Sequence, residues 1–212
     1  MNVIKFESGG YMSKKKDLKG DIIRSALRAF AKQDFQKVST NQIVEDAKVS
    51  KGLLFHYFQS KLALYTYLYE MSWQIVYRDI FNDFPFENRD VFERLKLMIL
   101  RKTKCFHKHE TMTSFLKRAH AATQPELVKM RSQLYQSFQQ KSYKRVFDNI
   151  DKTLFLDDVY IDDIYKIVIW TLNRVTHECD KQHNEKSKAE LLRILEEELK
   201  HYTTLFKHYF YR

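Results

Sequence analysis

Residues Ser39 to Lys61 run STNQIVEDAKVSKGLLFHYFQSK, two short apolar-periodic segments separated by Lys48, Val49 and Ser50. Ser39 precedes the first segment and Gln42 follows three residues later, the spacing of a capping box, in which each side chain satisfies the other's backbone N–H. A helix should therefore start here, with Ile43, Val44 and Ala47 on its buried side. The three-residue gap leaves room only for a tight turn. Ser50 should cap a second helix, Lys51 to about Phe58. In that helix Leu54 and Phe58 share the side that can pack on Ile43 and Ala47. Lys51 and Phe55 share another side, and Gly52 and His56 a third. Phe55, His56 and Tyr57 cannot all be buried. A short helix with a lysine, a glycine for close approach and exposed rings suits the major groove of DNA. An ordinary helical hairpin would show the same apolar periodicity, which specifies packing rather than a ligand.

Composition sets the surroundings of this stretch. The chain has 212 residues, 44% of them hydrophobic, with four glycines and two prolines. Such a chain is expected to be all-α, a small unit plus a larger helical core, rather than a sheet protein. Its net charge of +10 is unevenly spread. Between Ser13 and Lys61 there are 11 Lys/Arg against 5 Asp/Glu, a net +6, while the 151 residues that follow carry +4. Positive charge thus concentrates where phosphates would be met. Cys105 and Cys179 have no partner spacing for a metal or disulfide framework and are expected to be reduced, buried and inert. No apolar run approaches the about 18 residues of a membrane helix, and no signal peptide is present. The expected location is cytoplasmic.

The surrounding residues carry a resemblance. The ordered series Ala29-Phe30-Ala31, Ser39-Thr40-x-x-Ile43 and Ala47-x-Val49-Ser50-Lys51-Gly52-x-Leu54-Phe55-His56-Tyr57-Phe58-x-Ser60-Lys61 resembles the DNA-binding domain of the TetR family of bacterial transcriptional regulators, over about Ile22 to Leu64. The family usually has glycine where this chain has Asp34 and Lys48, and tyrosine where it has Phe55. The resemblance implies a helix-turn-helix unit at 13–61 and an effector-binding and dimerisation domain at 62–212. It also implies a homodimeric, non-enzymatic regulator on an inverted-repeat operator in double-stranded DNA, acting as a repressor released by a small molecule. Lys51, Leu53, Phe55, His56 and Tyr57 are expected at bases or flanking phosphates, Gly52 at the close approach, and Thr40 and Lys61 at the DNA backbone. The rival reading is a DNA-scaffolded interaction factor of the same fold without a small-molecule switch.

Along the rest of the chain, Met1 to Tyr11 shows no helical period. Gly9-Gly10 can be encoded GGA-GGU, a ribosome-binding site just upstream of Met12, so Met12 is expected to be the native start and residues 1–12 a leader or disordered arm. Ser13 to Lys16 would form a basic arm. Helices are expected at Asp17–Gln33, from Ser60 to about Phe84, and then at about 88–109, 112–122, 125–150, 158–181 and 187–211. The helix starting at Ser60 is apolar nearly all round and should link the two domains, a route for switching. Leu192, Leu195, Leu199, Tyr202, Phe206 and Tyr209 form a heptad seam. Ile164, Val168, Leu172, Val175 and Cys179 form a second one. Either seam can face a partner or the chain's own core; the family dimerises through these last two helices.

Aromatic residues crowd the middle of the chain and by default form core. The family's effector pocket lies among these helices, so Trp73, Tyr77, Phe115, Tyr135, Phe138 and Trp170 are candidate lining residues, with Asn173 and His177 as polar groups. An apolar or aromatic effector is expected. His107 and His109 point away from each other on a helix, and no metal or other cofactor is expected. Nor is there a nucleophile elbow, phosphate loop, metalloprotease signature or dinucleotide fingerprint.

Overall fold

The computed structural model describes residues 17–183 and 185–212. The leader, the Met12 start and the basic arm Ser13 to Lys16 lie outside the described residues. Those described form nine α-helices: α1 (Leu18–Lys32), α2 (Thr40–Ala47), α3 (Lys51–Phe58), α4 (Lys61–Phe81), α5 (Val91–Lys108), α6 (Glu110–Ala121), α7 (Pro125–Phe147), α8 (Ile161–Gln182) and α9 (Lys188–Phe210). A 3-10 turn at Lys152–Leu154 and an isolated bridge between Phe155 and Tyr211 complete the secondary structure.

The N-terminal helices close over one small core. Ile22, Ala26 and Phe30 of α1, Val38 of the loop, Ile43 of α2 and Leu54 of α3 are all essentially inaccessible. The Ser25 hydroxyl donates to the Ile43 carbonyl at 3.0 Å, fixing α1 on α2. Ser39 caps α2, but its oxygen accepts from Asn41 N at 3.1 Å, one residue short of the Gln42 partner that a capping box requires. The full box occurs instead at Ser187 and Glu190, at the start of α9. Lys48 ends α2 in the left-handed region, φ 54°, which a β-carbon makes unfavourable. Asp34 does not share that conformation; it receives an ion pair from Arg118 of α6 at 3.1 Å.

Helix ends impose the main architectural demand. The last carbonyls of a helix lack intrahelical donors, and many helices satisfy them by turning through a left-handed glycine. Here the described glycines, Gly20 and Gly52, both lie inside helices, and α1, α4, α6 and α7 all run straight into extended backbone at Gln33, Asn82, Ala122 and Asp148. An arginine from a neighbouring helix meets each of these four ends. Arg118 donates to Ala31 O at 2.9 Å. Arg101 donates to Ile80 O and Asn82 O at 2.9 and 2.6 Å. Arg131 donates to Ala119 O and Ala122 O at 2.9 and 3.1 Å. Arg94, only 1% exposed, donates to Val146 O at 2.9 Å and Asp148 O at 2.6 Å, and also reaches Phe86 O and Asn88 O.

The seams of the last two helices resolve mostly inward. Ile164, Val168, Leu172 and Cys179 of α8, and Leu195, Leu199 and Phe206 of α9, are buried where these helices pack on each other and on α5. Phe206 stacks on Phe92 of α5, with centroids 5.9 Å apart. The outward apolar residues lie beside the seams: Ile167 and Trp170 on α8, Leu205 and Tyr209 on α9, with Trp170 70% and Tyr209 63% exposed. Cys105 and Cys179 are free and buried, and burial pushes both thiols up, Cys105 to about 12.

Two stability changes follow. Arg94→Met should leave up to four carbonyls without a donor and cost about 3 kcal/mol in urea unfolding. Lys48→Gly should relieve the left-handed strain, stabilising the chain by about 1 kcal/mol and raising Tm by about 2–4 °C.

Candidate nucleic-acid interface and interior aromatic group

The eight residues of α3 divide as their spacing demands. Leu54 and Phe58 are buried against α1 and α2, whereas Lys51, Gly52, Phe55, His56 and Tyr57 are exposed and Leu53 is half-buried. Ser50 Oγ accepts from Leu53 N at 3.2 Å and sets where the helix starts. His56 and Tyr57 meet edge to face at 5.4 Å. Thr40 lies half-buried at the start of α2. A β-carbon added at Gly52 would meet nothing nearer than Ser50 Oγ at 4.0 Å, so nothing within the protein requires glycine there.

Lys61 departs from the expected role of a phosphate ligand. Its ammonium turns inward, donating to Phe35 O at 2.8 Å and Val38 O at 3.0 Å, and lies 4.5 Å from the centre of the Phe35 ring. Burial holds its pKa below the ordinary lysine value. Lys61 fastens the α1–α2 loop to the start of α4, and the carbonyls compete with any phosphate for its protons.

The joint between the N-terminal helices and the rest is aromatic. Tyr65 of α4 meets Phe30 of α1 edge on at 4.9 Å and Phe115 of α6 at 5.0 Å. Phe115 is therefore part of this joint, fully buried between α1, α4 and α6. Helix α6 packs along α1 and is tied to it by Arg118, so α4 is joined by a second link that its sequence gave no reason to expect.

The other candidate lining residues separate into two groups. Trp73 of α4 lies 4.9 Å from Tyr135 and 4.5 Å from Phe138, both on α7, and 6.4 Å from Phe106 of α5. Tyr77 borders the same group, 6.4 Å from Phe138. Trp170 and His177 do not join it, because both face outward on α8. Asn173 points inward, its Oδ1 accepting from Lys102 Nζ at 2.5 Å. Lys102 carried no signal in sequence, since one lysine among several in an amphipathic helix reads as surface. Burial draws its pKa down to about 8.

Asp79, Cys105 and His109 bring a carboxylate, a thiol and an imidazole within 4.8 Å of one another. His109, expected as a plain surface residue, is hydrogen-bonded to Asp79 at 3.3 Å. Lys108 and Arg78 also lie 3.6 and 3.5 Å from the carboxylate, so its charge is already matched by cations.

A small helical unit with a solvent-facing third helix, mounted on a larger helical core, defines a helix-turn-helix protein. Residues 22–68 match the model of the bacterial regulatory proteins of the tetR family, so the N-terminal unit is the helix-turn-helix unit of that family. No curated protein matches the chain in sequence. Among solved structures, a TetR-family regulator from Chloroflexus aurantiacus J-10-FL is similar at 17% identity, covering 94% of this chain and 96% of its own, with a TM-score of 0.62. The fatty acid degradation regulator FadR from Bacillus halodurans is similar at 15% identity, covering 88% and 96%, with a TM-score of 0.63. A tetR-family regulator from Streptomyces coelicolor is similar at 20% identity, covering 88% and 80%, with a TM-score of 0.58. These likenesses establish the fold. Among the described residues, no helix is long and apolar enough to cross a membrane.

Lys61→Met should lower stability by about 1.5–3 kcal/mol, the range for hydrogen bonds from a charged donor. The slope of log affinity for DNA against log salt should stay unchanged; a slope reduced by about one would return Lys61 to phosphate binding.

Proposed function

We propose that the chain is a homodimeric repressor that reads an inverted-repeat operator with α3 and leaves it when a small molecule enters the aromatic group of the larger domain. The observation that carries this reading is the division of α3, which has two apolar anchors on one side and Lys51, Gly52, Phe55, His56 and Tyr57 free on the other. A helix in the major groove needs that division, with small residues where backbone and bases approach and aromatic or cationic groups at base edges. Phe55 has no hydroxyl and suits a thymine methyl; His56 and Tyr57 can hydrogen-bond. In this reading Thr40, half-buried at the first turn of α2, contacts the DNA backbone.

The dimer in this reading forms through the outward apolar residues Ile167 and Trp170 of α8 and Leu205 and Tyr209 of α9, each of which is exposed. Two-fold symmetry then requires two half-sites. Ligand among Trp73, Tyr77, Tyr135 and Phe138 shifts α4, and the Tyr65 joint passes that shift to α1 and α3. The changed separation of the two α3 helices releases DNA.

Selection of random duplexes by the purified protein at physiological salt should enrich an inverted repeat, and salt-sensitive binding without an enriched sequence would defeat the reading. Gly52→Ala adds a methyl group to open space within the protein. It should raise the stability of α3 by up to about 1 kcal/mol while weakening operator binding. Both properties rising together would remove α3 from the groove. His56→Ala should alter which base is preferred at one position rather than scale all affinities.

A further inference from the structure

Helix α5 packs on α4, α7 and α8, and α4 on α7, around a region whose aromatic residues are each half-buried. Its walls are Trp73, Tyr135, Phe138 and Phe106. Lys102 is one turn before Phe106 on the same face of α5, and its ammonium reaches across to Asn173 of α8. Along α8, Tyr165 and Asn173 lie two turns apart on one face. The Tyr165 ring packs edge on against Tyr143 and Phe147 of α7, and its hydroxyl lies within electrostatic reach of that of Tyr135.

Hydrogen-bond accounting in this region gives an excess of donors. A lysine ammonium has three N–H groups and no acceptor capacity. Lys102 uses one, on the neutral Asn173 amide, and no carboxylate pairs with it among the described residues. The shift of its pKa has burial as its sole cause, with no neighbouring charge to offset it. The Trp73 Nε1–H is also buried and makes no hydrogen bond of normal geometry, although the Tyr69 hydroxyl is close by. A buried charge is ordinarily paired. A half-buried cation one turn from Phe106 on α5, and a buried indole N–H in the neighbouring aromatic group, suit an acceptor that carries negative charge.

We propose that the ligand of this region is an amphipathic carboxylate, its apolar or aromatic body against Trp73, Phe106, Tyr135 and Phe138 and its carboxylate on Lys102. Asn173 positions the ammonium, and the Trp73 Nε1–H is the second donor. This rests on the reading of the region as the effector site and narrows the effector to one charge. A neutral ligand of the same shape would leave the ammonium unpaired, so the site selects against it.

The test uses the unaltered full chain and follows its tryptophan fluorescence, from Trp73 in this region and Trp170 at the surface, together with the melting temperature. The probes are decanoate and 2-naphthoate, each beside its neutral amide. At least one carboxylate should bind at least tenfold more tightly than its amide. Lys102→Met should abolish that preference, with Lys102→Gln as a second variant should the first fail to fold. Because the free ammonium titrates near 8, carboxylate affinity should be flat from about pH 6 to 7.5 and fall as pH rises beyond 8, when the protein must take up a proton to bind; amide affinity should not change. The proposal is overturned if the amides bind as well, if Lys102→Met keeps the preference, or if no carboxylate perturbs the tryptophan fluorescence or Tm at millimolar concentration. A carboxylate that binds by these criteria but leaves operator in place would uphold the site and overturn the switch.

Discussion

Unsatisfied carbonyls at helix ends govern how this chain is assembled. With no glycine closing any described helix, four helices stop abruptly with several carbonyls in need of donors, and each is met by a guanidinium from elsewhere in the chain. Every such contact joins two elements, so the caps also set tertiary structure: α6 to α1, α5 to α4, α7 to α6, and α5 to α7. A guanidinium is suited to this because its planar fork serves two or three carbonyls together and its charge complements the negative end of the helix dipole. Part of the basic character of the chain is therefore internal. The +10 net charge is not a measure of its attraction to nucleic acid, and the lysines and exposed surface of the first three helices are the more relevant quantity.

The same geometry gives the two ends of α4 different tasks. Near its start, Lys61 and Tyr65 hold the α1–α2 loop, α1 and α6. Two turns beyond Tyr65, Trp73 enters the aromatic group shared with α5 and α7. Whatever repositions Trp73 acts on a helix whose other end is bonded to the DNA-reading unit. Between α3 and α4 there are only Gln59 and Ser60, with Gln59 at φ 53°. So short a connection leaves α3 little freedom to lag behind.

Legibility in the sequence followed the range of the interaction. The helix-turn-helix and the two-sided character of α3 could be read directly, because capping serines and the 3.6-residue period are local. The inward turn of Lys61 could not, since its acceptors, Phe35 and Val38, lie more than twenty residues earlier and a lysine at a helix start looks solvent-facing. The heptad seams were real, but periodicity cannot say which surface they meet; burial of Leu195, Leu199 and Phe206 assigns them to the chain's own core. Trp170 and Phe115 were indistinguishable as aromatic letters, yet one faces outward and the other is fully enclosed. Lys102 was invisible for the opposite reason: nothing about an isolated lysine reveals that a neighbouring helix covers it.

The aromatic joint also bears on portability. Phe30 closes the core of the first three helices only with Tyr65 and Phe115 laid against it, and Arg118 donates to the Ala31 carbonyl in the last turn of α1. A fragment ending at Lys61 would carry its helix-turn-helix but leave one wall of its core open to water. The unit is thus not a detachable module. A chimaera that grafted it onto another regulator would have to bring the contacting faces of α4 and α6 as well, and an exchange made at the apparent boundary would give a protein whose reading head is loosely seated.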